Sequence, residues 1–311
     1  MSPQRGLAAV TGATGFLGQH VVRALADVGF AVRILARREP LSLFWDGVAP
    51  QVVRGDLADS AALGQLSDGA DVVVHVAGQI GGRKADLDRV NIEGTRKVAE
   101  ATAASSARLL QISSLAAREP QLSAYGASKR GGEEAARELM GDRLTVIRPP
   151  AVYGPGDRET LRLFKLAASG PFLPVLDPAA RMALIHVEDA ARQIVALAES
   201  PLPITVTLSD GRPEGYHWRE IMQTAAQAFD RRPRLVRIPP AALYAMAMVD
   251  EFANNWRRGS SVLTFGKVKE LTHLDWGVRP NERATGTLTP EYDLKSGFRQ
   301  TIGWYRSQGW L

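Results

Sequence analysis

The 311-residue sequence predicts a doubly wound α/β fold, a mostly parallel sheet covered by helices on both faces, followed by a smaller irregular region. Three observations predict it. Short β-branched runs alternate with amphipathic or alanine-rich stretches over about the first 155 positions. A glycine string lies between the first run and the first helical stretch, and after about residue 155 the rhythm gives way to proline-punctuated helices and isolated strands.

In chain order, "GLAAVTG" is the first strand, a continuous apolar run of the kind a strand buried on both faces requires. Helical periodicity follows over 16–28. "AVRILA" and "QVVRGD" are the second and third strands, with a helix expected over 60–67. "DVVVHVAG" is the fourth strand and 86–105 reads as one long helix. "RLLQISS", a helix over 126–140 and "RLTVIRP" complete the first region; the prolines after that strand end it, because proline cannot join a central ladder. "ITVTLSDG" and "PRLVRIPP" are strands of the less regular second region, where substrate specificity is expected.

Composition is that of a soluble globular protein, 45% hydrophobic and 23% charged. The absence of cysteine excludes disulfides, thiolate catalysis and cysteine-ligated metal, and suits a reducing, cytoplasmic setting. "MSPQRGLAAVTGATG" lacks the apolar run of a signal peptide, and no stretch approaches the roughly 18 apolar residues of a spanning helix. "PPAALYAMAMVDEF" comes nearest; it is read as a helix packed on the core rather than one lying on a membrane surface. Leu243, Tyr244, Met246 and Met248 within it, and Trp256 just beyond, either line an apolar pocket or belong to the core. The net charge of +5 permits phosphate-bearing ligands, yet basic residues are scattered and no nucleic-acid-binding signature is present, so the expected partner is a small molecule. The sequence permits a homodimer without indicating one.

"VTGATGFLGQH" places Gly12, Gly15 and Gly18 between the first strand and the opening of a helix. Glycines there allow a tight turn and a close backbone approach to a pyrophosphate, which the helix N-terminus favours electrostatically. The end of the second strand normally reads the adenosine ribose. An acidic residue suits NAD and an arginine suits the 2′-phosphate of NADP; "AVRILARREP" offers Arg37 and Arg38 and no acid before Glu39, so NADP(H) is expected, with NAD(H) as the alternative.

The spacing in "TGATGFLG" resembles the cofactor loop of the extended short-chain dehydrogenase/reductase superfamily, the NAD-dependent epimerase/dehydratase family. The resemblance implies a Rossmann domain over 1–155 with a returning segment near 183–200, and a mainly substrate-binding region over 156–311. It implies cofactor contacts from Thr11, Gly12, Thr14, Gly15, Phe16, Leu17 and Gly18. By the same resemblance, Asp56 and Leu57 in "VRGDLAD" meet the adenine. Val76, Ala77 and Gly78 in "HVAG" line the cofactor, Asn91 in "NIEGTRKVAEA" supports the active site, and Pro149 lies in the segment passing the nicotinamide.

"LLQISSLAAREPQLSAYGASK" is similar to the family's serine at a strand end followed by Y-x-x-x-K on the next helix. That scheme implies proton transfer by Tyr125, a ribose contact and an electrostatic role for Lys129, and a substrate-oxygen contact from Ser114, with Ser113 as its neighbour. A free tyrosine titrates near 10, and a cation one helical turn away favours its ionised form. The ten residues between Ser114 and Tyr125 make a short loop for that branch and leave Ser123 as a further hydroxyl. Ala151 stands where sugar-nucleotide epimerases usually show asparagine. The form "RPPAVYGPG" resembles dihydroflavonol-reductase-like and 3β-hydroxysteroid-dehydrogenase-like members, which act on ketones or secondary alcohols of less polar molecules. "LIHVEDAARQIVAL" and "GFRQTIGWYRSQGWL" extend the resemblance towards the C-terminus.

His20, His75, His186, His217 and His273 are far apart in sequence, so no metal is assigned, and no G-x-S-x-G elbow is present. The expected function is an NAD(P)-dependent oxidoreductase interconverting a carbonyl and an alcohol on a small, fairly apolar substrate. The alternatives are an epimerase or dehydratase that recycles its nucleotide, and a non-catalytic sensor or assembly subunit.

Overall fold

A computed structural model describes residues 5–40, 42–199, 204–257, 263–283 and 288–311, with the backbone alone at 251–257. The chain divides into two compact units. The first spans the described residues to Pro149 together with most of Ala191–Thr207; the second spans Pro150–Ala190, the described part of Leu208–Arg283, and Thr289–Leu311.

The first unit is a seven-stranded parallel sheet. Its strands are β1 (Leu7–Thr11), β2 (Ala31–Ala36), β3 (Gln51–Arg54), β4 (Val72–His75), β5 (Arg108–Ile112), β6 (Leu144–Arg148) and the edge strand Thr205–Thr207. The chain runs outward from β1 through β2 to β3, then returns to lay β4 on the other side of β1, where Ala8 pairs with both Val32 and Val72. The strand order reverses between β1 and β4, the place where doubly wound sheets open a ligand crevice at their carboxyl ends.

Helices α1 (Phe16–Asp27), α2 (Ser60–Ser67), α3 (Lys84–Asp88), α4 (Gly94–Ala103) and α5 (Ala124–Met140) connect the strands. Side chains alternate across the sheet: Ala9, Val73 and Leu109 join one cluster with Leu63 and Leu66 of α2, Val98 of α4 and Ala136 of α5. Their neighbours Ala8, Val10, Val72 and Val74 are equally buried on the opposite face. This two-sided burial explains the unbroken apolar strand runs.

The helix expected over 86–105 is interrupted. A π-helical turn, Arg89–Glu93, separates α3 from α4 and carries Asn91. Such a turn widens the helix by one residue without disturbing its flanking periodicity, so the apolar pattern reads as continuous.

The second unit is built from short strands and helices around aromatic rings. Phe172–Val175 pairs in parallel with Arg234–Arg237, and Arg181–Met182 lies between Tyr216–His217 and Asp275–Trp276. Phe298, from the helix Leu294–Ser307, meets Tyr153 and Phe164 edge-on, with 5.0 Å between ring centroids in each pair. Helix Pro240–Arg257 buries Leu243 and Ala247 but exposes Met246 and Met248, so the core-packed reading of "PPAALYAMAMVDEF" holds for one face only. The Trp256 side chain lies outside the described residues.

Candidate active site

The predicted site residues of the first unit gather at the carboxyl ends of its strands. Thr11 closes β1, and Gly12 turns the chain with φ +71°; a Cβ there would sit 2.4 Å from the Ala77 nitrogen, in the loop after β4. Gly18 lets α1 press onto the same turn, since a Cβ would lie 2.0 Å from the Gly12 carbonyl oxygen. Gly15 is the N-cap of α1, with neither a side-chain cap nor an acidic residue in the first turn. Thr14 and Gly15 are exposed, and Phe16 and Leu17 follow half-buried. An uncapped helix N-terminus behind a glycine turn is a cradle for a dinucleotide pyrophosphate, and these residues fit that group.

At the end of β2, Arg37 and Arg38 are exposed and make no ion pair among the described residues. Glu39, the first acid in the segment, is bound by Arg54 at 2.5 Å. Asp56 accepts the Ala58 N–H at 2.8 Å, and Leu57 packs on Gly94 of α4.

Beneath the glycine turn runs a buried chain of hydrogen bonds. Thr95 Oγ1 donates to the Asn91 carbonyl at 2.8 Å and lies 3.0 Å from His75 Nε2. With its own proton spent on a carbonyl, Thr95 accepts from His75, so the proton sits on Nε2 and the bare Nδ1 accepts from Thr11 Oγ1 at 2.6 Å. Thr11 Oγ1 in turn accepts the Ala77 N–H at 3.4 Å. Burial, reinforced by the Lys129 charge, lowers the His75 pKa to about 3 and keeps the imidazole neutral. The chain ties β1, β4 and the π turn together with every donor matched.

Asn91 is the next link. Its Oδ1 accepts the Gln79 N–H at 2.8 Å, while Nδ2 donates to the Gln79 carbonyl at 2.9 Å and to Ser128 Oγ at 2.9 Å. Val76 donates its N–H to the Thr11 carbonyl at 3.1 Å. Gly78 leaves room where a Cβ would stand 3.3 Å from both Asn91 Oδ1 and Lys129 Nζ.

Tyr125, Lys129 and Glu133 stand at successive four-residue steps along α5, one stripe of that helix. Ser123 caps it by accepting the Gly126 N–H at 2.9 Å. Tyr125 is half-buried in the first turn. Lys129 is buried, and Nζ donates to the Ile112 carbonyl at 2.7 Å, at the end of β5. Burial lowers its pKa to about 8, and the Glu133 carboxylate opposes that fall. At neutral pH Lys129 is therefore mostly an ammonium ion in a poorly screened setting.

Glu133 was not among the residues singled out from sequence. It accepts the Ser113 hydroxyl at 2.5 Å and a two-point contact from Arg148 of β6, 2.8 Å from Nε and 2.6 Å from Nη2. Its signal was available: it stands four residues after Lys129. The contact also separates the two serines, because Ser113 spends its proton on Glu133. Ser114, half-buried, accepts the Ala116 N–H at 3.2 Å and keeps its own proton to donate. The Pro149 carbonyl accepts the Leu115 N–H at 2.9 Å, joining the exit of β6 to this loop.

The model of the NAD dependent epimerase/dehydratase family matches residues 8–206. The chain belongs to that family. As an extended short-chain dehydrogenase/reductase it is an NAD(P)-dependent oxidoreductase-type enzyme. It is 49% identical over 309 residues to the ceramide reductase of Caulobacter vibrioides, covering 99% of this chain and 96% of the relative. It is 32% identical to sterol demethylase protein B of Methylococcus capsulatus, covering 97% and 99%. Among solved structures, MoeE5 in complex with UDP-glucose and NAD shares the fold at a TM-score of 0.70 and 22% identity, over 97% of this chain and 99% of that one. Among the described residues no group of His, Asp and Glu is placed to hold a metal, and no helix is long and apolar enough to cross a membrane.

Proposed function

We propose that this enzyme reduces a ketone carried by a ceramide-class lipid to the alcohol, using NADPH. The observation that carries the reading is the 49% identity, over nearly the whole of both chains, to a protein named ceramide reductase, in a chain that keeps the Tyr125–Lys129 pair. The second full-length relative also bears a lipid name, and Ala151, in place of a sugar-nucleotide asparagine, agrees with an apolar substrate.

When bound, the reduced nicotinamide supplies the hydride. Ser114 donates a hydrogen bond to the ketone oxygen and steadies the charge developing there. Tyr125 gives its phenolic proton to that oxygen as the carbon–hydrogen bond forms, leaving an alcohol and a phenolate. Lys129 steadies the phenolate by its charge. The Lys129 bond to Ile112 keeps the ammonium beside the strand end that leads into Ser114. Gly12, Thr14, Gly15 and Gly18 would hold the pyrophosphate and Asp56 and Leu57 the adenine, while Val76, Ala77, Gly78 and Pro149 would line the nicotinamide end. Thr11 and Asn91, buried with their side chains bonded to His75 and to Gln79 and Ser128, support these segments from beneath instead of touching the nucleotide. Arg37, with Arg38, takes the 2′-phosphate. The second unit carries substrate specificity.

The test is a micellar assay offering NADPH and a ceramide bearing a ketone, following nicotinamide absorbance and lipid mass together. The reading predicts one NADPH oxidised per alcohol formed. Lipid conversion without net NADPH oxidation would favour an internally recycled cofactor, and no conversion of any long-chain keto-amide would reject the substrate class.

A further inference from the structure

The second unit exposes an apolar surface that its own core does not use. In the parallel ribbon of Phe172–Val175 with Arg234–Arg237, Leu173 and Val175 point inward and are buried, and Leu235 packs with them. Alternation sends the other set outward. Phe172 is 52% exposed and Val236 42%, and together with Pro174 and Ile238 they form a shallow apolar groove.

Within the strand Arg234–Arg237, alternation turns Arg234 and Val236 outward; Arg232 precedes the strand and is exposed, and Ile238 follows it and lines the groove. Arg232 and Arg234 are exposed and make no ion pair among the described residues, whereas Arg237 is held by Asp177 at 2.9 Å. Ile238 also packs on the cluster of Leu243 and Ala247, which anchors the inner face of helix Pro240–Arg257. The outer face of that helix carries Met246, Met248 and Val249, 57%, 59% and 67% exposed, and no charged residue occurs from 240 to 249. Solvent exposure of this much contiguous apolar sequence marks an interaction surface rather than a core.

We infer that this strand-to-helix segment docks on an anionic lipid bilayer, with Val236, Ile238 and the Met246–Met248–Val249 face entering the interface and Arg232 and Arg234 meeting the phosphates. Unpaired cations beside exposed apolar groups match the two signals that together give stable peripheral binding, an apolar insertion and an attraction to anionic headgroups. A second protein copy would bring the same two cations to its side of the contact. The inference draws on the lipid-substrate reading in one respect: a long-chain ketone partitions into a bilayer, and an enzyme that takes it gains by resting there.

The test is flotation of the full chain, without substrate or nucleotide, on phosphatidylcholine–phosphatidylglycerol vesicles and on phosphatidylcholine vesicles. The wild type is expected to float with the anionic vesicles and not with the neutral ones, and to be released by salt. Val236→Glu and Met248→Glu, at exposed positions on separate elements, should each abolish flotation with unchanged Tm, and Arg232→Ala should weaken it about fivefold. A wild type that stays in solution with both vesicles overturns the inference, as does flotation indifferent to all three substitutions. A dimer that Val236→Glu dissociates, with no flotation, would assign the face to a second copy instead. Because no substrate is present, a failed ceramide assay leaves this result standing, and a failed flotation leaves the substrate reading standing.

Discussion

The strand ends of the first unit and the ring cluster of the second bury different chemistry. At the strand ends of the first, Thr11, His75, Thr95 and Asn91 form one directional chain and Ser113, Glu133 and Arg148 another, each atom held by a bond of defined length. In the second, Tyr153, Phe164, Phe298 and Tyr305 fill space ring against ring. Directional bonds fix single atoms, which proton and hydride transfer require. Aromatic packing fixes a volume and tolerates substitution better.

The largest effect should separate these roles. Tyr125→Phe is expected to lower kcat by about 10²–10⁴-fold with Tm unchanged, the range for losing a positioned proton donor. Phe298→Ala should do the reverse, costing about 3–5 kcal/mol of stability through the cavity it leaves while the folded fraction turns over within a few-fold of wild type. Steady-state kinetics beside thermal unfolding reads both, and a Phe298→Ala enzyme as inactive as Tyr125→Phe would erase the distinction.

Next in size is the buried carboxylate. Glu133→Ala strands the Arg148 guanidinium in a buried site, 8% exposed, and should cost about 3–5 kcal/mol in denaturant unfolding. Loss of less than about 1 kcal/mol, the range of exposed ion pairs, would mean the pair is not desolvated as described.

A smaller change is expected at the rim of the nucleotide site. Arg37→Ala should raise KM for NADPH by about tenfold and leave KM for NADH unaltered, the loss of one charge-assisted contact to a phosphate. Equal effects on both nucleotides would remove Arg37 from the 2′-phosphate.

The subtlest effect is a pH shift. Lys129 loses its proton near pH 8, so kcat/KM should fall as pH rises through that value in the free enzyme. The Glu133 carboxylate raises the Lys129 pKa, so Glu133→Gln lowers it, the ammonium is lost earlier, and the falling limb moves to lower pH. A limb that stays in place would sever Glu133 from the chemistry and leave it a purely structural anchor.

Much of the first unit was legible in sequence because strands buried on both faces must be continuously apolar, and all six runs read as strands there form strands. The seventh, Thr205–Thr207 in "ITVTLSDG", pairs with β6 in this sheet and not in the second region, a return that the distance along the chain conceals. The π turn was not, since one inserted residue leaves the periodicity on either side intact; Asn91 was found by its motif and not by its geometry. Ser113 and Ser114 are adjacent, and only the position of Glu133, brought by α5, shows which hydroxyl is spent. Helix Pro240–Arg257 illustrates the opposite limit. Met246 and Met248 have the composition of a core, and which side meets solvent depends on packing partners such as Val268 that lie far along the chain.

The central claim, net delivery of a hydride and a proton to a lipid ketone, is tested most directly by turnover with NADPH deuterated at the transferring C4 position. The account predicts one deuterium on the new carbinol carbon for each NADPH oxidised, in the wild type and, far more slowly, in Tyr125→Phe. Product lacking the label, or labelled product with the nicotinamide still reduced, would contradict it.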